Sequence, residues 1–133
     1  MSNIKLVGSN IRKLSAFRNQ NFSGKVSLET NIKLLSMDRV DEAKDTIRVA
    51  YSFEVDYKEL GNIFIEGNLF VSAPSKNIKD LLKSWKDKKF EGEDHVIITN
   101  LVIQKASLKC FALEDEFGLP THIKLPSVNA NKK

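Results

Sequence analysis

The sequence predicts an α+β fold, in which a four-stranded antiparallel β-sheet is followed by two helices packed on one of its faces. Apolar and polar residues alternate in four successive segments of the first half of the chain. After Pro74 the apolar spacing becomes that of helices. Because all strands precede both helices, the order is typical of α+β domains. The 133 residues suit a single domain spanning 1–133.

The four predicted strands cover about residues 4–18, 25–36, 45–58 and 61–73. The third is the clearest, since every second residue from Ile47 to Tyr57 is apolar, and "KELGN" then supplies a hairpin turn into the fourth. In the first strand the apolar parity changes between Leu6 and Ile11, and a bulge near Gly8 would restore a common face. The segment "MDRVDEAKD" is expected to end the second strand.

Two helices are predicted over about residues 75–88 and 95–117, followed by an extended C-terminal arm over 118–129. The second helix carries two apolar flanks, whereas a helix lying on a single surface needs one stripe. We therefore expect it to contact both the sheet and a further element, such as the first helix or another subunit. Gly118 suits a left-handed cap, and Pro120 prevents the helix from continuing.

Composition excludes several classes of protein. The net charge of +4, from 21 basic and 17 acidic residues, is modest and does not form the concentrated patch of a nucleic-acid-binding protein. No run of 18 uninterrupted apolar residues occurs, so no membrane insertion is expected. The single cysteine, Cys110, rules out an internal disulfide and, with no signal-peptide pattern at the N-terminus, favours the cytoplasm.

The polar residues do not predict an enzyme. His95 and His122 lie far apart without metal-ligand spacing, and each is interpreted as a surface or capping residue. Cys110 lies on an apolar helix stripe, as a buried structural thiol does. The acidic residues 114–116 are consecutive on a helix, which is typical of a solvated face near a helix end. We predict no catalytic residue, no cofactor and no metal site.

Apolar surface is in surplus, because Phe64 and Phe70 lie on the nominally polar face of the fourth strand. Two interpretations remain open and are compatible: a core shared between subunits, and a groove for extended apolar peptide. A non-catalytic oligomeric interaction domain and a small-molecule-binding or enzymatic α+β domain are the alternatives.

The segments "IKLVGSNIRKLSAFR", "NIFIEGNLFVSAP" and "ITNLVIQKASLKCFALEDEFGLPTHIKLPSVN" resemble, in this order, the SecB-like chaperones over residues 4–129. The resemblance implies an ATP-independent cytoplasmic holdase that binds unfolded or partly folded client proteins in apolar grooves. It also implies a homotetramer built as a dimer of dimers, and a role in protein export or beside a toxin–antitoxin system.

On this resemblance the expected client-binding residues are aromatic: Phe17, Phe22, Phe64, Phe70 and Trp85. Core or intersubunit packing is the alternative role for each of them. The link "NQNFSGK" between the first two strands is short for the family. Docking on the SecA motor is not expected, because the export members use an acidic sheet surface, whereas this chain has a net charge of +4 and mixed charges there.

Overall fold

The computed structural model describes residues 4–41, 43–88 and 92–122. Its elements, in chain order, are the strands β1 (Lys5–Arg18), β2 (Glu29–Val40), β3 (Ala43–Asp56) and β4 (Gly61–Ser72) and the helices α1 (Ser75–Lys86) and α2 (Glu93–Phe117). The strands form one antiparallel sheet in the order β1-β4-β3-β2. Helix α1 packs on β2 and β3, and α2 packs on β1, β3 and β4. The predicted fold class is confirmed.

The sheet face that meets the helices forms the core, and alternation along β3 and β4 creates it. Its apolar members are each 0–2% exposed: Ile47, Val49, Tyr51, Phe53, Val55, Ile63, Ile65, Leu69 and Val71. Gly67 interrupts this row, because Tyr51 of β3 pairs with it and occupies the space of a side chain. A Cβ at position 67 would lie 2.5 Å from the Asn10 carbonyl oxygen and 2.8 Å from the Tyr51 hydroxyl.

Strand β2 differs from its prediction at both ends. It spans Glu29–Val40 rather than 25–36, and "MDRV" continues the strand instead of ending it. The reason is a bulge at Leu35, where the pairing with β3 slips by one residue. Since one extra residue reverses the faces, Met37 points into the core opposite Val49 and is 5% exposed.

Strand β1 contains the predicted bulge, since its register with β4 shifts between Leu6 and Gly8. A second shift, between Ile11 and Lys13, was not predicted. The second bulge falls between Ile11 and Phe17, so Ile11 lies on the helix side of the sheet while Phe17 lies on the opposite side.

One of the two predicted apolar flanks of helix α2 packs into the core. Its residues Ile98, Val102, Ala106 and Cys110 are at most 1% exposed. On its second flank Leu108 remains 67% exposed. By length and hydropathy alone α2 could cross a membrane, which is weak evidence because core helices pass the same test.

The helix α2 ends as predicted. Gly118 adopts φ 69° and ψ 34°, the left-handed conformation of a C-terminal cap, and its N–H donates to the Glu114 carbonyl. Leu119 then turns back into the core and is 6% exposed. Most of the predicted arm, residues 123–129, lies outside the described residues.

Candidate functional site

An apolar cleft opens beside β2, between that strand, the end of α1 and the start of α2. We call it the β2 cleft, and its volume is about 450 Å³. It is lined by Ile32, Lys33, Leu34, Leu35, Trp85, His95 and Thr99. A second recess of about 320 Å³ shares Trp85 and His95 and continues toward Met37 and Leu81. The two recesses adjoin at Trp85 and His95.

The bulge in β2 creates the apolar wall of this cleft. In a regular strand Leu34 and Leu35 would point to opposite faces. Because the bulge falls at Leu35, both leucines line the cleft, and Leu35 is 41% exposed. Trp85, half-buried on α1, lines the cleft with them.

The cleft borders the edge of the sheet. In the described sheet β2 pairs with β3 on one side only, so the peptide groups of its other side point outward. An extended polypeptide can add to such an edge through main-chain hydrogen bonds while its alternate side chains enter a neighbouring pocket. Edge and cleft together therefore suit an extended apolar segment.

The polar wall of the cleft includes His95. His95 is half-buried and lines the cleft. Burial lowers the pKa of His95, since desolvation disfavours the charged imidazolium.

A second apolar surface lies on the sheet face that points away from the helices. Phe17, Phe64 and Phe70 share this face, and Phe17 is 60% exposed. Phe17 and Phe64 are diagonal neighbours on paired strands, a spacing that aromatic side chains can bridge. The Lys13 Nζ lies 5.8 Å from the centre of the Phe64 ring, within cation–π distance.

The five aromatic residues expected from the sequence do not come together in one groove. Phe17, Phe64 and Phe70 lie on the outer sheet face, and Trp85 lies in the β2 cleft. Phe22 is half-buried in the connection from β1 to β2, packed against the core. The sequence reasoning missed Ile32, Leu34 and Leu35 as lining residues. The signal that could have indicated them is the pair of consecutive leucines inside an alternating strand.

A buried polar cluster, which we call the Glu114 hub, lies at the other end of α2. Glu114 is 1% exposed, and its Oε2 accepts hydrogen bonds from the Tyr57 hydroxyl and, at 2.9 Å each, from the backbone N–H and Nδ1 of His122. The Nε2 of His122 lies 3.0 Å from the Ser107 hydroxyl. The Oε1 of Glu114 has no hydrogen-bond partner among the described residues.

The structure overturns two predictions at this hub. Glu114 is not part of a solvated face, and the His122 side chain is 0% exposed. Burial and the hydrogen bond to Glu114 raise the pKa of Tyr57, so its hydroxyl remains a donor. Burial, together with the Glu114 charge, raises the pKa of Cys110 to about 12, which agrees with a structural thiol.

The connection Ser107–His122–Glu114 has the hydrogen-bond order of a nucleophilic triad. A working triad presents its hydroxyl to a substrate, but Ser107 is 5% exposed. In this conformation the cluster ties His122 to α2 through hydrogen bonds.

Comparison with known proteins supports the fold. No protein-family model matches the chain, and no curated protein does. Among solved structures it is similar to the SecB-like chaperone Rv1957 of Mycobacterium tuberculosis, in complex with a ChAD peptide from the HigA1 antitoxin Rv1956. The identity is 7%, the TM-score 0.54, and the match covers 95% of this chain and 88% of that one.

A protein of unknown function from Streptococcus agalactiae also matches, at 9% identity and TM-score 0.49, over 96% of this chain and 99% of that one. The similarity to the mycobacterial protein shows that this chain has the SecB-like fold.

Proposed function

We propose that this protein is an ATP-independent cytoplasmic holdase chaperone, which keeps unfolded or partly folded client proteins from aggregating. The observation that carries the proposal is the β2 cleft: an apolar depression walled by Leu34, Leu35 and Trp85 beside an edge strand. The SecB-like fold supports it, since a neighbour of that fold binds a peptide.

The mechanism is binding without a catalysed reaction. Apolar burial contributes about 25 cal/mol per Å² and depends little on which apolar side chain is buried. Main-chain hydrogen bonds at an edge strand are likewise independent of sequence. A site of this kind accepts many extended segments, which a general chaperone requires.

Clients would be proteins awaiting export or a toxin–antitoxin partner, the latter because the mycobacterial neighbour was solved with an antitoxin peptide. We further propose that residues 1–133 form one domain and assemble as a dimer of dimers, which would give a long client several sites. A second client-contact surface lies on the outer sheet face and consists of Phe17, Phe64 and Phe70. Phe22, in the connection from β1 to β2, packs against the core and supports this connection.

Suppression of aggregation tests the proposal. A chemically unfolded client is diluted into buffer, and light scattering is followed at equal concentrations of chaperone subunit and client. We expect Leu35→Ser to weaken client binding about five- to thirtyfold, because one partly exposed leucine contact of about 1–2 kcal/mol is lost.

Leu108→Gln is the matched control, since Leu108 is also exposed but lies outside the β2 cleft. Wild type that fails to suppress aggregation at an equal ratio refutes the function. Equal losses in both variants refute the assignment to this cleft.

A non-catalytic oligomeric interaction domain is the second candidate. It is favoured by the apolar residues left exposed around the β1 edge, of which Val7 is 58% and Leu108 67% exposed. Native mass spectrometry separates the two functions: a stable oligomer that takes up no unfolded client supports the second.

A further inference from the structure

In the described part of the chain after α2, two buried side chains hold the backbone to the rest of the protein. We call residues 119–122 the strap. The first of these side chains is Leu119, which is 6% exposed in the core, and the second is His122 in the Glu114 hub. Pro120 and Thr121 between them are exposed. The strap joins α2 through the left-handed Gly118, and its described hydrogen bonds go to Glu114 and Ser107 of α2 rather than to the sheet.

The contact of His122 with the Glu114 hub is polar and is made by several hydrogen bonds. The Glu114 Oε2 receives both the backbone N–H and the Nδ1–H of His122, so the carboxylate selects the orientation of the ring and of the chain together. The Ser107 hydroxyl meets the other ring nitrogen and can either donate to it or accept from it. Both ring nitrogens of His122 therefore have a hydrogen-bond partner.

Under the imidazole lies apolar surface. The His122 ring stands edge-on to Phe53, at a centroid distance of 5.7 Å, and lies against Phe111 at 5.0 Å. With the strap in place Phe53 is 1% exposed. Lifting the strap would uncover the parts of the Phe53 and Phe111 rings that His122 contacts.

Burying the Glu114 carboxylate costs desolvation free energy, which is unfavourable if its only role is to fix the chain in place. Apolar residues of similar volume commonly stabilise such a position as well or better, and here one carboxylate oxygen is left without a described partner. The hydrogen bonds that hold the strap to the side chains of Glu114 and Ser107 all involve His122. They would therefore break together if His122 left the hub, and a client could then take its place.

We propose that the strap is a releasable cover, pinned by His122 in the Glu114 hub, over an aromatic site formed by Phe53 and Phe111 that takes an apolar side chain of a bound client. This inference rests on the proposed chaperone function and adds an autoinhibitory contact to it. Release would enlarge the client-binding surface beyond the β2 cleft.

Amide hydrogen exchange on the full chain tests the pin without any client. In His122→Ala the amide of residue 122 should exchange about ten- to hundredfold faster, because the side-chain bonds that keep it on Glu114 are lost. The Leu119 amide, bonded to the Glu114 carbonyl at 2.8 Å, is the internal reference. Thr121→Ala is the control variant, and Glu114→Gln, which keeps size and one acceptor, gives an intermediate effect.

Client binding by the same variants tests the cover. Far-UV circular dichroism must match wild type, and we expect His122→Ala to bind an unfolded client about fivefold more tightly than Thr121→Ala. Unchanged exchange at residue 122 overturns the pin. Faster exchange with unchanged or weaker client binding overturns the cover. Faster exchange in a protein whose wild type holds no client supports the pin and counts against the holdase function instead.

Discussion

Replacing Gly67 by alanine should destabilise the protein through a single added methyl group. The new Cβ would lie 2.5 Å from the Asn10 carbonyl oxygen and 2.8 Å from the Tyr51 hydroxyl, both closer than real Cβ contacts. One of these neighbours is backbone of β1, which is paired to β4 at this position and cannot yield alone. Forcing such a contact costs about 1–3 kcal/mol.

Gly8→Ala is the matched control, because the same methyl group there meets only the Phe70 side chain, at 3.7 Å. That is ordinary contact, and the smaller entropy of the unfolded chain should make the variant about 0.4–1 kcal/mol more stable. The free energy of unfolding, measured by urea denaturation, should separate the variants by about 1.5 kcal/mol or more.

Tyr51→Phe should relieve Gly67→Ala only in part, since the Asn10 carbonyl remains in place. Equal stability of Gly67→Ala and Gly8→Ala would show that Tyr51 does not lie across Gly67 and would refute the register of β1, β3 and β4.

Two further predictions concern pH. The pKa of Cys110 is raised to about 12 in the folded protein, so above about pH 9 the unfolded state releases the thiol proton first. Stability should then fall by up to about 1.4 kcal/mol per pH unit, and urea titrations of Cys110→Ala should lack this component. The pKa of His95 is lowered by burial, so its contribution is complete above about pH 6.5 and is lost as the pH falls. His95→Gln should flatten that acid limb, and an unchanged limb would contradict the burial of His95.

The parts of the fold that follow from local pattern were predictable. Alternation from Ile47 to Tyr57 indicated the buried face of β3, and every apolar residue of that series is at most 2% exposed. Gly118 with Pro120 indicated where α2 ends, and the structure ends it there. In both cases a single element determines the outcome, so neighbouring residues carry the signal.

The β2 cleft depends on a feature that periodicity conceals. A bulge adds one residue to a strand and requires no particular residue type. The sequence around Leu35 therefore suggests the end of a strand, whereas the strand continues with its faces reversed. The same effect at the second bulge of β1 separated Phe17 from Ile11, which lie on opposite faces of the sheet.

The Glu114 hub could not be predicted because its members meet only through tertiary structure. Tyr57 directly follows β3, Glu114 and Ser107 belong to α2, and His122 lies in the chain that turns back after Gly118. On the helix alone Glu114 is one of three consecutive acids, and nothing local distinguishes it from Asp115 and Glu116, which are exposed.

The fluorescence of Trp85 tests the central claim most directly, because it is the only tryptophan of the chain and lies in the β2 cleft. An unfolded client that contains no tryptophan is titrated into the protein. If the cleft holds the client, the Trp85 emission should shift to shorter wavelength and saturate, and Leu35→Ser should require a higher client concentration. If the client is kept from aggregating while the Trp85 emission stays constant, clients bind elsewhere and the cleft is not the site.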